Sequence, residues 1–213
     1  MKKVALTGNI GSGKSWVSQL FQRIGIPVFN SDEEAKRLYE RKDVREAMKA
    51  RFGEDVYYDD DSVNRRRVAE IIFNDAEAMH EVEQLLYPAL NAYFDEWAEA
   101  QDAPYVLYES AIIYEKHLEK LFDAVVLVSA TEQTRLRRVM LRDYCDEESV
   151  RERMVSQWTE NEKREKADYI INHDNDDEDD VLLEQVMTVH EELLPPRKFH
   201  FFTKKIKKTL AHN

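Results

Sequence analysis

The chain has 213 residues, 43% of them hydrophobic, and a formal net charge of −12 at pH 7. That length and apolar content suffice for one substantial core with inserted subdomains. Residues 195–213 carry +6 and residues 1–194 therefore carry −18; this acidic body argues against nucleic-acid binding by the main domain. No apolar run is long enough to span a membrane, we expect no signal peptide before the first strand, and the single cysteine, Cys145, fits a reducing compartment. We expect a cytoplasmic protein.

The first predicted elements are a strand, a glycine-rich loop and a helix. Residues 4–7 form an apolar run typical of a buried parallel strand. Residues 8–15 match G-x-x-x-x-G-K-[ST] without a mismatch, and Val17, Leu20, Phe21 and Ile24 then recur at helical spacing. This order is the structural context that a phosphate-binding loop requires.

The chemistry of such a loop depends on backbone amides that approach a phosphate chain closely. Glycine permits both the approach and the unusual dihedral angles, and the following helix contributes its free N-terminal amides. Lys14 is predicted to reach the β- and γ-phosphates, and the Ser15 hydroxyl to ligate Mg²⁺. The alternative is a glycine-rich turn that binds nothing.

Further along the chain, strands and helices alternate. Strands are predicted at residues 27–29, 104–107, 124–128 and 169–171. Helices are predicted from residue 33, over 43–52 and 64–73, after Asp75, after Thr131, after Asp146 and up to residue 194. Pro88 should kink or break the helix that follows Asp75, and the helix capped by Asp146 should continue through Trp158.

This alternation predicts an α/β fold of the P-loop NTPase class, with a five-stranded parallel sheet flanked by helices. Residues 1–194 form one domain in this interpretation. The expected parts are a core of about 1–32, 103–137 and 165–194, a helical substrate-binding region of about 33–102, a lid of about 138–164, and a basic tail at 195–213.

The phosphate-binding loop alone fits kinases, GTPases and motor-type ATPases. The D-x-x-G and N-K-x-D motifs of GTPases do not occur in the sequence. A small-molecule kinase needs an acid near the acceptor hydroxyl and arginines on a lid. Asp32 follows the second strand, and Arg138 and Arg142 lie four residues apart on one helix face. Alternatively, Asp32 caps the helix from residue 33, and the two arginines are surface residues paired with Asp143 or Glu147.

An ordered set of motifs resembles the dephospho-CoA kinase family from residue 4 to about 175. Residues 6–15 are close to the family's LTGGIGSGKS, and Asn30-Ser31-Asp32 stands at its D-A-D. Five further family motifs have counterparts: R-x-x-L-x-x-x-I-F at residues 65–73, P-L-L-x-E at 111–115, R-x-x-x-R at 138–142, Q-x-x-x-x-x-K at 157–163 and A-D-x-V-I at 167–171.

The resemblance implies that ATP phosphorylates the ribose 3′-hydroxyl of dephospho-CoA, with ATP and Mg²⁺ as cofactors. Asp32, Lys14 and Arg138 would be catalytic, Asp32 and Arg65 would bind the substrate, and Ser15 would hold Mg²⁺. The predicted nucleotide contacts are Gly8, Asn9, Ile10, Gly11, Ser12, Gly13, Lys14, Ser15, Trp16 and Arg142. Two alternatives are a kinase for another nucleoside- or nucleotide-like acceptor and a catalytically silent nucleotide-binding regulator.

Several positions depart from the family pattern. Asn30 replaces the first acid of D-A-D, Tyr87 stands at a histidine position, and Ala111 replaces a proline. Glu109, at the end of the third strand, is a candidate metal ligand through water or a surface strand-end acid. The tail at 195–213 is expected to be solubilising, with an amphipathic anchor or a nucleic-acid contact as the alternatives.

Overall fold

The computed structural model describes residues 1–174 and 179–195, so most of the acidic run at 174–180 and all but the first residue of the predicted tail lie outside it. The strands are β1 Lys2–Thr7, β2 Val28–Asn30, β3 Tyr105–Glu109, β4 Ala124–Ser129 and β5 Tyr169–Asn172. The helices are α1 Lys14–Arg23, α2 Ser31–Leu38, α3 Lys42–Phe52, α4 Arg65–Asn74, α5 Ala76–Glu99, α6 Glu132–Asp143, α7 Glu147–Val155, α8 Glu160–Lys166 and α9 Asp179–Leu193.

The five strands form one parallel sheet in the order β2-β3-β1-β4-β5, which confirms the predicted fold class. In the register of the three strands β2, β3 and β1, Asn30 pairs with Glu109, which pairs with Leu6. The carboxyl ends of these strands therefore meet at one edge of the sheet. That edge is where a parallel α/β sheet presents its ligand-binding loops.

Alternate residues of the central strand feed two separate cores. Val4 and Leu6 pack with α1 and α9 on one face of the sheet. Ala5 points to the other face, where it joins Phe29, Tyr108 and the apolar side of α5. Because both faces are covered, the middle residues of the central strands are apolar and buried on both sides of the sheet.

A third cluster lies within the stretch predicted as a helical insertion. It joins α3, α4 and α5 through the buried side chains of Val44, Met48, Val56, Tyr57, Val68 and Val82. These helices therefore have an apolar core of their own beside the sheet. Within the described ranges 1–174 and 179–195, none of the helices has the length and apolarity needed to cross a bilayer.

One helix prediction is wrong at its C-terminal end. The helix capped by Asp146 stops at Val155 rather than Trp158, because a new helix begins at Glu160. Thr159 and Glu162 form a capping box at the start of that helix, where each side chain bonds the backbone amide of the other residue. The S/T-x-x-E spacing was present in the sequence as its signal.

Pro88 does not break α5, which runs without interruption from Ala76 to Glu99. Pro88 is exposed, so its ring displaces no core side chain. The apolar face of the helix packs on the sheet through Leu90, Phe94 and Ala98. That burial outweighs the local cost of proline, about 3 kcal/mol in a helix interior.

We expect Pro88→Ala to raise the free energy of unfolding by about 1–3 kcal/mol, because alanine restores a helical amide at an exposed position. Urea denaturation followed by circular dichroism measures the change. Pro104→Ala, outside the helices, is the matched control and should be neutral or slightly destabilising. An equal gain in both variants would contradict the explanation.

Candidate active site

The glycine-rich loop connects β1 to α1 and leaves the start of the helix open. Gly11 and Gly13 adopt left-handed φ angles of 79° and 88°. Gly13 is the N-cap of α1 and has no side chain to bond the first helical amides. Those amides and the positive end of the helix dipole are therefore available to an anion.

Close packing around the loop explains why glycine occupies three of its positions. A Cβ atom at Gly8 would lie 2.6 Å from the carbonyl oxygen of Val128, and one at Gly11 would lie 2.5 Å from that of Arg135. At Gly13 it would lie within 2.1 Å of Nδ1 of His173. One side of the loop backbone thus packs against β4, α6 and the end of β5, and its other side faces a cavity.

That cavity has a volume of about 590 Å³, within the range of small-molecule sites. The loop and the first turn of α2 both line it. The charged residues that line it are Lys14, Asp32, Glu33, Lys36, Glu109, Arg138 and Arg142. The structure therefore brings the predicted phosphate-binding, acid and arginine residues around one space.

Glu109 lies at the floor of the cavity and is only 5% exposed. Its carboxylate accepts hydrogen bonds from Ser15 Oγ at 3.1 Å, Ser18 Oγ at 2.7 Å and Asn30 Nδ2 at 3.4 Å. Lys14 Nζ lies 3.4 Å from its Oε1. The alternative of a surface strand-end acid is therefore wrong, and Glu109 joins the loop, α1 and β2.

Asp32 lies in the first turn of α2, exposed to the cavity. The helix begins at Ser31, and its N-cap is Asn30, whose Oδ1 accepts the amide of Glu33 at 3.0 Å. The interpretation of Asp32 as the helix cap is therefore wrong. The Asp32 carboxylate does not cap the helix, and its role as a proton acceptor stays a prediction.

The two lid arginines have different partners. Arg138 Nη1 donates to the carbonyl oxygens of Gly11 and Ser12, both at 3.3 Å. Arg142 binds Asp143 through Nε–Oδ1 at 2.7 Å and Nη2–Oδ2 at 3.1 Å. These bonds, with a further one from Arg153, hold the pKa of Asp143 well below its usual range. The alternative of pairing with Asp143 thus describes Arg142, whereas Arg138 contacts the loop.

Three predicted site residues do not line the cavity: Gly8, Trp16 and Arg65. Trp16 turns its indole outward, where Nε1 donates to Asp179 Oδ1 at 3.1 Å and Arg23 lies over the ring. Arg65 is the exposed first residue of α4. The pKa of Glu33 is lowered mainly by its bond with Lys36, and Arg37 and Arg65 add to this effect. Arg65 is therefore near enough to Glu33, which lines the cavity, to act on it electrostatically.

Lys36, Gln157 and His173 were not predicted as site residues. Lys36 lies one helical turn after Asp32. This i, i+4 spacing places both residues on one helix face and could have indicated that Lys36 belongs to the site. Gln157 belongs to a quoted motif that carried no role, and its Oε1 accepts the Ile10 amide at 2.8 Å. No local pattern shows that His173 packs against Gly13, because the contact joins residues 160 positions apart.

Comparisons with known proteins identify a family for this site. The sequence model of the dephospho-CoA kinase family matches residues 2–179. A dephospho-CoA kinase from Mannheimia succiniciproducens is 35% identical, covering 90% of this chain and 91% of the relative. A crystal structure from Thermus thermophilus is 30% identical with a TM-score of 0.80, covering 92% of this chain and 98% of that one. A dephospho-CoA kinase structure from Campylobacter jejuni shares the fold at a TM-score of 0.67 and 23% identity, covering 90% and 96%.

Gly13 and Gly25 provide a matched test of the packing behind the loop, since both have φ +88°. No atom lies within 4 Å of a Cβ at Gly25, so Gly25→Ala should cost only the backbone strain, about 1–2 kcal/mol. Gly13→Ala should cost about 1–3 kcal/mol more, because the His173 ring must move.

Guanidinium denaturation measures both costs. In a His173→Ala background the extra cost of Gly13→Ala should largely disappear. Equal costs for the two glycines in the wild-type background would show that the ring does not constrain the loop.

Proposed function

The chain belongs to the dephospho-CoA kinase family, which phosphorylates dephospho-CoA with ATP in coenzyme A biosynthesis, and we propose the roles that its residues take in that reaction. The chain is thus an enzyme, a phosphotransferase with an alcohol group as acceptor. The observation that carries the assignment of roles is that the glycine-rich loop and Asp32 line the same cavity.

The loop binds the phosphates of ATP in this proposal. The amides of Gly11 and Gly13 and those that begin α1 donate to phosphate oxygens, whereas the Ser12 amide is bonded to the carbonyl oxygen of Asn9 at 3.0 Å. Lys14 leaves its ion pair with Glu109 and moves to the β- and γ-phosphates. Arg138 is already on the loop and neutralises charge on the transferred group.

Asp32 acts as the proton acceptor. The acceptor hydroxyl, the ribose 3′-hydroxyl of dephospho-CoA, lies between Asp32 and the loop. As its oxygen bonds to the γ-phosphorus, the proton passes to Asp32 and the bond between the γ-phosphorus and the bridging oxygen of ADP breaks. Lys36, which lines the cavity one helical turn after Asp32, and Arg65, whose charge acts on Glu33, are suited to the anionic groups of the acceptor.

The residues around Ser15 fit Mg²⁺. A hydroxyl and a buried carboxylate, Ser15 Oγ and Glu109, lie 3.1 Å apart, and Mg²⁺ prefers such oxygen ligands with several waters. In residues 1–174 and 179–195, no three His, Cys, Asp or Glu side chains form a metal cluster, so the phosphates of ATP complete this site. Mg²⁺ held by these residues would neutralise charge on the phosphates.

The helical and lid regions take supporting roles. Helices α2–α5 form the wall that receives the acceptor, and residues 138–164 form a lid over the phosphates. Arg142 exchanges Asp143 for a phosphate oxygen when the lid closes. Because that pair is largely exposed, solvent screening keeps the cost of the exchange small.

We expect Asp32→Asn to lower kcat by a factor of about 10² or more, because the amide cannot accept the proton. Coenzyme A formation from ATP, Mg²⁺ and dephospho-CoA, followed by mass, measures the effect. Glu34→Gln makes the same chemical change on the same helix outside the cavity lining and should stay within twofold. Near-normal turnover of Asp32→Asn would remove the base assignment.

Asn30→Asp tests the proposed metal site without an activity assay. Aspartate also caps a helix, but it replaces the donor that faces Glu109 Oε2 at 3.4 Å with a second carboxylate. The melting temperature should therefore fall by several degrees in EDTA and recover in millimolar Mg²⁺ more than that of the wild type. Asn91→Asp, away from the cavity lining, controls for the added charge. A loss that Mg²⁺ does not reverse would contradict the site.

A further inference from the structure

Two consecutive residues of the glycine-rich loop are hydrogen-bonded to the segment between α7 and α8. The amide of Ile10 donates to Gln157 Oε1 at 2.8 Å. The Asn9 side chain donates through Nδ2 to the carbonyl oxygen of Trp158 at 3.1 Å and to Glu160 Oε2 at 3.4 Å. These contacts span about 150 positions of sequence and lie outside the roles assigned above.

The segment between α7 and α8 is itself fixed by contacts with the residues that follow β3. Lys163, fully buried, donates to the carbonyl oxygen of Ala111 at 3.0 Å and pairs with Glu115 Oε1 at 2.8 Å. Glu115 Oε1 also accepts the amide of Trp158 at 2.9 Å, and the Trp158 ring stacks on Tyr114 with centroids 5.8 Å apart. These contacts fix the backbone from which the Gln157 side chain extends to the loop.

Ile10 occupies the third of the eight positions of the loop. Its amide is turned toward Gln157, and it is the last residue before Gly11, where the chain enters the left-handed region. A donor that loses its acceptor at a partly buried position costs stability unless the backbone turns to find another. Without Gln157 the loop would therefore reorient at the point where its phosphate-facing amides begin.

We propose that Gln157 is a positioning residue for ATP binding, which holds the Ile10 amide so that the following loop amides face the cavity. This inference rests on the proposed phosphate-binding role of the loop. It gives a function to the first residue of the Q-x-x-x-x-x-K motif, while Lys163, the last residue, anchors the segment. Gln157 also lines the cavity, so direct contact with ATP is the competing role that a test must separate.

The test uses Gln157→Met in the full chain, since methionine keeps the length of the side chain and removes the accepting oxygen. Calorimetry with MgATP should give a Kd raised about tenfold, the effect of one lost hydrogen bond. The melting temperature should stay within 2–3 degrees, and the KM for dephospho-CoA within about twofold, because neither the core nor the acceptor end changes. Gln133→Met, on the exposed face of α6, is the matched control and should match the wild type.

Hydrogen exchange of the Ile10 amide, followed by NMR without ATP, separates positioning from direct contact. Exchange should accelerate in Gln157→Met and stay slow in Gln157→Glu, which keeps an accepting oxygen. A raised Kd with unchanged Ile10 exchange would overturn positioning in favour of direct contact. A Kd within twofold of the wild type, or equal losses of both substrates with a large fall in melting temperature, would also overturn it. Wild-type protein that binds no ATP would instead refute the proposed function, and the exchange data would still report on Gln157.

Discussion

The buried carboxylate of Glu109 is the interaction on which the rest of the site depends. A charge that is removed from water must be compensated by ionic and hydrogen-bonding partners, because the desolvation cost amounts to several kcal/mol. Here the partners come from two elements: Lys14, Ser15 and Ser18 belong to the first turns of α1, and Asn30 ends β2. Satisfying Glu109 therefore fixes the start of α1 relative to two strands. The position of the glycine-rich loop follows from that.

This arrangement also links the two proposed ligands. When Lys14 moves to the phosphates, Glu109 loses its cationic partner while it stays buried. An uncompensated buried carboxylate is costly, and a divalent ion near Ser15 would restore the balance. We therefore expect ATP and Mg²⁺ to bind together. ATP draws Lys14 away from Glu109, and Mg²⁺ supplies the positive charge that the buried carboxylate then lacks. The neutral amide of Asn30 suits this design, because it donates to Glu109 without adding a charge.

Much of the fold could be predicted from the sequence because its signals are local. The five strands are short apolar runs, and Asp75 and Thr131 cap the helices they were predicted to cap. The errors arise where local signals compete. Asn30 and Asp32 are both good caps, and only the extended backbone of Asn30 decides between them. At Pro88, burial of the opposite helix face overrides a local breaker, and no sequence window contains that information.

Most residues of the site could be predicted from the sequence, but the balance of charge around the cavity could not. An acidic chain binds polyanions in the proposed reaction, and the net charge of −12 alone would argue against this. Charges farther apart than about 8 Å are largely screened at physiological salt, so the cavity lining matters more than the total. That lining holds four cations against three carboxylates, and the cations Lys14, Arg138 and Arg142 lie toward the loop. Composition cannot reveal this local excess, because it depends on α1 and α6 meeting at the same end of the sheet.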